Sequence, residues 1–406
     1  MNIIIVCYIY PPEVAPAGQM VMELSEDLAS AGHTVTVITG YPNHPQGTLH
    51  EGWEMHGRRW GEGRGFRVLR VPHSTSPDRG FRARSRFYAT FALNSLTAGL
   101  GLGKIDAVLC LSSPVIGALC CWVLSVVKGA RFYYDIWDIY PEVALSTGVL
   151  RPGPVADLLL RLDTFLCRRA AKVITIAKGM SRTLLARGLK DEHVALVPVW
   201  LDTNEITPRD RDNPWRREHC IPESTFVALY SGTAGLISGA QMMLDVAEEL
   251  RGRGDMVILF VGGGELWGDL TTGVNSRALP NVLFVPFQPR TLMSQVQSTA
   301  DVGLVTLGRG KGRTSVPSKV LAYMAAARPV IAAVDDDSDT AEWIREAECG
   351  WVVPAEDPHA LADALLRAAS DPAAASEAGL KGRRFLEQRL SRHRCTAAYE
   401  RLLRGV

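Results

Sequence analysis

The chain lacks a surplus of either charge: 44 Lys and Arg stand against 43 Asp and Glu, for a formal net charge of +1. Binding to nucleic acid rests on a basic field, so nucleic acid is excluded as the main partner. Metal-type cysteine spacing is missing as well. Eight cysteines are scattered along the chain, and the only adjacent pair, Cys120 and Cys121, falls in an apolar stretch where cysteine reads as a small core residue. No disulfide framework is implied, and a reducing cytoplasm is the expected setting. Ahead of Ile3, Ile4, Ile5 and Val6 there is no basic segment or cleavage signal, so a first β-strand is expected there rather than a secretion signal. One uncharged run, Val108 to Val127, approaches the roughly 20 residues that span a bilayer. Ser112, Ser113 and Pro114 divide it into a strand and a helix instead. The fingerprint GxGxxG is absent after the first strand, which weakens a dinucleotide reading.

What is present is a repeated βα pattern in a chain of 406 residues, too long for one hydrophobic core. Asn2 to Cys7, Gly18 to Ala31 and Thr34 to Thr39 read as strand, helix and strand. Two rigid loops follow strand ends: Tyr10 to Gln19, where three prolines hold the chain extended and Gly18 permits close approach, and Gly40 to Gly47, which contains Asn43. Loops in that position line the ligand crevice of open α/β sheets. A strand Arg131 to Asp135 runs into Trp137-Asp138-Ile139-Tyr140-Pro141-Glu142. Asp138 and Glu142 are each placed to take a proton from a hydroxyl, or alternatively to cap a turn and face solvent. From Arg58 to Leu100, arginines interleave with large aromatics and lead into an apolar helix. Such a segment fits a surface that meets anionic lipid, or a solvated loop followed by a core helix.

Pro198 to Pro222 has little periodic apolar signal, and a linker is expected over 201–222 between domains over 1–200 and 223–385. In the second half, small-residue turns follow two strands. The first holds Gly232, Thr233 and Gly235, the second Gly263, Gly264 and Glu265. Bare backbone at such turns can meet a phosphate or sugar. The stretch Lys311 to Ile331 links two short apolar strands through a helix expected to begin near Pro317. Ser315, Ser318 and Lys319 then converge at its start, a favourable place for phosphate.

Taken in order, Tyr10-Pro11-Pro12-Glu13, Gly32-His33-Thr34-Val35-Thr36-Val37, Tyr41-Pro42-Asn43, Asp138 with Pro141-Glu142, Pro317-Ser318-Lys319, Arg328-Pro329-Val330-Ile331 and Glu348-Cys349-Gly350-Trp351-Val352-Val353-Pro354 resemble the retaining GT-B glycosyltransferases. Within them, the set is similar to the branch of bacterial polysaccharide enzymes that includes the O-antigen fucosamine transferase. The resemblance spans nearly the whole chain. It implies an α/β GT-B fold, two Rossmann-like βαβ domains facing a central cleft, with a terminal helix over 386–406 that crosses back to the first domain. It also implies that Gly232, Thr233, Gly235, Ser318 and Lys319 hold the donor diphosphate, with Pro317 opening their helix. Gly263, Gly264 and Glu265 would lie beside the nucleotide, and Pro286 and Phe287 near the base. Gly18, Gln19, Asn43 and Asp138 would face the acceptor. Many members carry two glutamates seven residues apart, one of them on the ribose. Thr314 and Ala322 stand there in this chain, so ribose recognition is unassigned and the charge falls on Lys319, with Arg313 and Lys311 in reserve.

The expected activity is transfer of a hexose or amino-hexose from a nucleoside-diphosphate sugar, UDP foremost, with retention and without cofactor or metal. Lys319 and Asp138 are the catalytic candidates. The acceptor expected is a hydroxyl of a lipid-linked saccharide or glycolipid, at the inner face of the cytoplasmic membrane, with peripheral contact through Arg58 to Leu100. A small-molecule acceptor, as in tailoring of a natural product or a phosphoglycolipid antibiotic precursor, is the enzymatic alternative. Two rivals come from other classes: a sugar-nucleotide epimerase using Asp138 and His44, and a non-catalytic nucleotide-binding protein, suggested by Thr314 and Ala322.

Overall fold

Short β-branched runs bounded by glycine and proline give this chain two sheets, each buried by helices from both sides of every crossover. The computed structural model describes residues 1–406 except Val14, Pro45, Arg79, Ser112, Ser113, Thr147, Val149, Leu236, Arg313, Thr314, Ser315 and Val406, and only the backbone of Phe81 and Ser146. The chain forms two compact units: Met1–Pro198 with the segment from Cys395 onward, and Val199–Arg394.

The first unit holds eight strands: β1 (Asn2–Val6), β2 (Thr34–Gly40), β3 (Arg59–Glu62), β4 (Arg67–Val71), β5 (Ala107–Leu111), β6 (Arg131–Ile136), β7 (Lys172–Thr175) and β8 (Val194–Leu196). Their order is β3-β4-β2-β1-β5-β6-β7-β8, parallel throughout except for the edge pair β3 and β4. The order reverses at β1, which pairs with β2 on one side and β5 on the other. Crevices at such a reversal lie outside the carboxyl ends of the strands. Pro114 precedes a helix, Val115–Lys128, that follows β5; the Ser112-Ser113 break lies outside the described residues. Among the described residues no helix is long and apolar enough to cross a membrane.

The second unit has six parallel strands: β9 (Phe226–Thr233), β10 (Met256–Gly263), β11 (Val282–Pro286), β12 (Val302–Thr306), β13 (Val330–Ala333) and β14 (Gly350–Val353). The order β11-β10-β9-β12-β13-β14 reverses between β9 and β12. Ile258, Phe260, Leu304, Ile331, Leu361 and Leu365 are among the side chains that fill its core.

The segment 201–222 is not a free linker. Asn213 caps a helix, Pro214–Glu218, by accepting from the Arg216 N–H. Trp215 is fully buried, stacks on His219 at 3.9 Å and donates to Gln288 Oε1 at 3.0 Å. Arg216, also buried, donates to the carbonyls of Thr299, Pro222 and Thr225. Burying one large aromatic contributes about 1.5–3 kcal/mol, which is ample reason for this strap to belong to the second unit. At the other end, the helix Pro372–Arg389 stops before a separate helix, Arg392–Arg404, so the crossing to the first unit falls at Arg394 rather than at residue 386.

Candidate active site

In the second unit, the candidate donor-side residues are set by strand register. Gly232 of β9 pairs with Gly262 of β10, which pairs with Pro286 of β11, so three strand ends align in one row. Thr233 and Gly263 form the next pair in register. A β-carbon on Gly262 would lie 2.1 Å from the Gly232 carbonyl oxygen, and one on Gly264 would lie 2.6 Å from that of Ala234. Both glycines adopt positive φ, 151° and 126°. These glycines are thus needed for the contact between adjacent turns, which the backbone bonds Ala234 N–H to Gly263 O and Leu266 N–H to Ala234 O complete. Exposed Phe287 lays its ring against Gly263, where an added β-carbon would meet it at 2.8 Å. Glu265 is exposed at the same end, and Gly235 has no atom within 4 Å of where a β-carbon would stand.

Lys319 opens the helix Lys319–Ala325, with Ser318 at its N-cap and Pro317 just before. The helix starts two residues later than expected. Because it is only two turns long, any attraction for an anion here would come from the lysine charge more than from the helix dipole. Among the described residues the Lys319 ammonium has no carboxylate partner. It lies over the Tyr230 ring, 3.4 Å from the centroid, and its Cε is 4.0 Å from the β-position of Gly232. Burial pushes its pKa down to about 7. A cation desolvated without a counter-charge is costly until an anion arrives. Arg313, Thr314 and Ser315 lie outside the described residues. Lys311 is partly buried in the loop before the helix, and Ala322 on the helix carries no acid.

Tyr323, one turn after Lys319, fixes where the lysine points. Its hydroxyl accepts from the Ser231 N–H at 2.9 Å and donates to the Leu229 carbonyl at 2.8 Å, pinning the helix to the end of β9. Gly303 of β12 leaves room for the ring, since a β-carbon there would lie 2.1 Å from it.

In the first unit, on the candidate acceptor side, one buried carboxylate gathers two loops. Glu13 accepts from the backbone N–H of Tyr10 at 3.1 Å, Asn43 at 2.9 Å and His44 at 2.8 Å. Arg70 of β4 donates to the carbonyls of Gly40, at 2.7 Å, and Pro11. Gly18 packs on the Tyr10 backbone, where a β-carbon would sit 3.1 Å away, so its close approach is to the protein's own chain. Gln19 donates to Glu23 at 2.9 Å. Asp138 follows β6 and is reached by solvent, yet the protein closing around it raises its pKa. Burial chiefly, with the Asp138 charge a smaller cause, raises the phenols of Tyr8, Tyr88 and Tyr140. Glu142 is bound by Arg187, which also holds buried Asp163 at 2.7 Å, so Glu142 anchors the loop that carries Asp138.

Two family models match the chain: the glycosyl transferase 4-like domain over residues 17–200 and the glycosyl transferases group 1 domain over residues 225–371. The chain belongs to the group 1 glycosyltransferases of the GT-B fold. The transferase is 26% identical over 333 residues to the putative colanic acid biosynthesis glycosyl transferase WcaI of Escherichia coli K12, covering 80% of this chain and 81% of that one. Its fold is shared with a sucrose-phosphate synthase from Thermosynechococcus elongatus, at TM-score 0.74, 18% identity and coverage of 100% and 98%. The Anabaena protein Alr3699/HepE, solved in complex with UDP, matches at TM-score 0.74 and 13% identity over the full length of both chains.

Sequence reasoning missed Tyr230, Tyr323 and Glu13 as parts of the transferase's candidate site. For Tyr323 a signal existed: it stands four residues after Lys319, on the same helical face. The strands β3 and β4 were also missed, because the arginines of Arg58 to Arg86 mask their alternation. Arg67 and Arg70 flank buried Val68 and Leu69, and Val71 is buried too. Of the described arginines in that segment only Arg70 is buried; it and exposed Arg59 both lie over Trp53, at 4.8 Å and 5.1 Å.

Proposed function

We propose that this transferase moves a hexose or amino-hexose from UDP to a hydroxyl of a lipid-linked saccharide, with retention and without a metal. The observation that carries the reading is the Lys319 ammonium, held among the described residues without a carboxylate over Tyr230 and beside the Gly232 turn. A leaving diphosphate gains negative charge as the bond from the sugar's anomeric carbon to the phosphate oxygen breaks. A preorganised cation stabilises that charge without reorganising. Turns at Gly232, Gly263 and Gly264 supply backbone against which the nucleotide lies, and Phe287 offers a ring to the base. The acceptor oxygen attacks the anomeric carbon on the face that the diphosphate leaves, and its proton passes to the departing phosphate oxygen. Asp138 orients the acceptor hydroxyl by accepting its hydrogen bond. UDP as the nucleotide is supported by the bound UDP of Alr3699/HepE. An acceptor in polysaccharide assembly is supported by the colanic acid assignment of WcaI.

The test pairs binding with turnover. UDP at 100 times its dissociation constant should stabilise the native state by about 2.7 kcal/mol, a readily measured shift in melting temperature. Lys319→Ala is expected to lower that shift and to reduce kcat/KM more than tenfold, since one charge-assisted contact contributes about 1.5–3 kcal/mol. Undiminished rates in the variant would remove Lys319 from the site. Activity that EDTA abolishes and divalent cations restore would sink the metal-free part of the proposal.

A further inference from the structure

The helices Phe81–Leu100, Val115–Lys128 and Pro154–Arg169 pack side by side on the first unit. In such a layer the inner faces bury against the sheet and the outer faces are ordinarily polar. Here they are not. Val115–Lys128 carries no charged residue before Lys128, and its Val126 and Val127 are 61% and 62% exposed. On Pro154–Arg169, Val155 and Leu158 are 57% and 64% exposed, three residues apart and therefore on one face. Phe165 continues that face and meets Trp122 of the neighbouring helix edge-on, with centroids 5.4 Å apart, which joins the two apolar stripes. Leu93 of the first helix is exposed as well. Isolated surface hydrophobics need no explanation, but stripes on adjacent helices mark a surface that something covers.

The charges beside the stripes identify the occupant. Arg151, Arg161, Arg168 and Arg169 are exposed on or just before the helix Pro154–Arg169, against a single exposed acid there, Asp157. Arg169 lies over the Phe165 ring at 5.1 Å, at the border of the apolar face. Lys128 stands at the end of the adjacent helix. Two copies of this chain meeting through this face would set the cationic rim against itself across the two-fold axis. An anionic lipid surface accepts both features, with acyl chains for the valines and leucines and headgroups for the arginines. We propose that the outer face of the helices Val115–Lys128 and Pro154–Arg169 docks in the interface of an anionic bilayer. This surface is separate from the Arg58 to Arg86 stretch, whose Arg59 and Arg70 lie over Trp53 and Arg67 over Trp60. The docking does not rest on the transfer reaction.

The experiment is flotation of the full chain with vesicles, with no donor or acceptor present, so that failure here is separate from failure of the transferase reading. Phosphatidylglycerol–phosphatidylcholine vesicles are expected to carry the wild type up the gradient, less so in high salt, and phosphatidylcholine alone to carry little. The double variant Val127→Glu with Leu158→Glu changes only exposed positions and should keep its circular dichroism and melting temperature. Its partition onto the anionic vesicles is expected to fall about tenfold or more. A wild type that stays with the soluble fraction, or a double variant that floats equally well, overturns the proposal. So does a dimer in sedimentation velocity that the double variant disperses while vesicles bind neither form, since the face would then belong to a second copy.

Discussion

At the scale of single residues, two groups shifted by desolvation, Lys319 and Asp135, make the protein's behaviour depend on pH near neutrality. Lys319, with its pKa lowered to about 7 by burial, loses its proton on a rise through neutrality. A diphosphate binds the ammonium and not the amine, so nucleotide affinity is full below pH 7. Above pH 7 it falls by up to about tenfold per pH unit, until the pKa of the complex is reached. Calorimetric titration of UDP from pH 7 to 9 measures this, and a flat profile would detach Lys319 from the phosphates. Asp135 is pushed up to about 7, by burial first, against a hydrogen bond from Tyr399 at 2.7 Å. A carboxyl raised in the folded state contributes stability that is fully present below its ordinary pKa near 4 and lost as pH rises through 7. Asp135→Asn keeps an acceptor for Tyr399 and carries no charge. Its melting temperature relative to wild type is therefore expected to be higher at pH 8 than at pH 5, and an equal difference at both would rule this account out.

At the scale of elements, the two loops of the candidate acceptor side depend on one carboxylate. Glu13 has two oxygens for three backbone donors, and glutamine offers one oxygen and an amide that would face N–H groups. Glu13→Gln is expected to raise the acceptor KM about tenfold while leaving UDP binding unchanged, because Glu13 belongs to the other unit from Lys319. A parallel loss of UDP affinity would show that the variant had damaged the whole fold. The strands were legible in sequence where both faces are buried, as in Ile3 to Val6 or Val302 to Val305, since a continuous apolar run needs no partner to be recognised. The Lys319 helix was legible through Pro317 and the apolar positions after it. What escaped were effects that depend on tertiary partners. The Gly262 and Gly264 turns read as ligand surface, although each first accommodates a neighbouring strand end. Trp215 read as part of a linker, because neither its stacking on His219 nor its bond to Gln288 has a local signature.

At the scale of the molecule, the chain passes from the first unit to the second after Pro198 and returns after Arg394. Tyr399 and Leu403 are fully buried in the first unit, and the Leu402 and Leu403 carbonyls accept from Tyr133 at 3.2 Å. Ending the chain at Arg394 removes four buried side chains, of which Tyr399 and Leu403 alone contribute about 1.5–3 kcal/mol each, and leaves Asp135 without its phenol. Set against a total stability of about 5–15 kcal/mol, that loss should abolish cooperative unfolding of the first unit. Differential scanning calorimetry of the truncated protein, with UDP to mark the second unit, checks it; two intact transitions would contradict it.

The return at Arg394 also orders events on the ribosome. Amino acids are joined from the first residue onward, yet the early sheet waits for Tyr399 and Leu403, which follow the whole second unit. The second unit, Val199–Arg394, has all its parts as soon as Arg394 emerges. The half translated first is completed second, and for that interval its unfinished β6 surface is open to whatever chaperone attends the nascent chain.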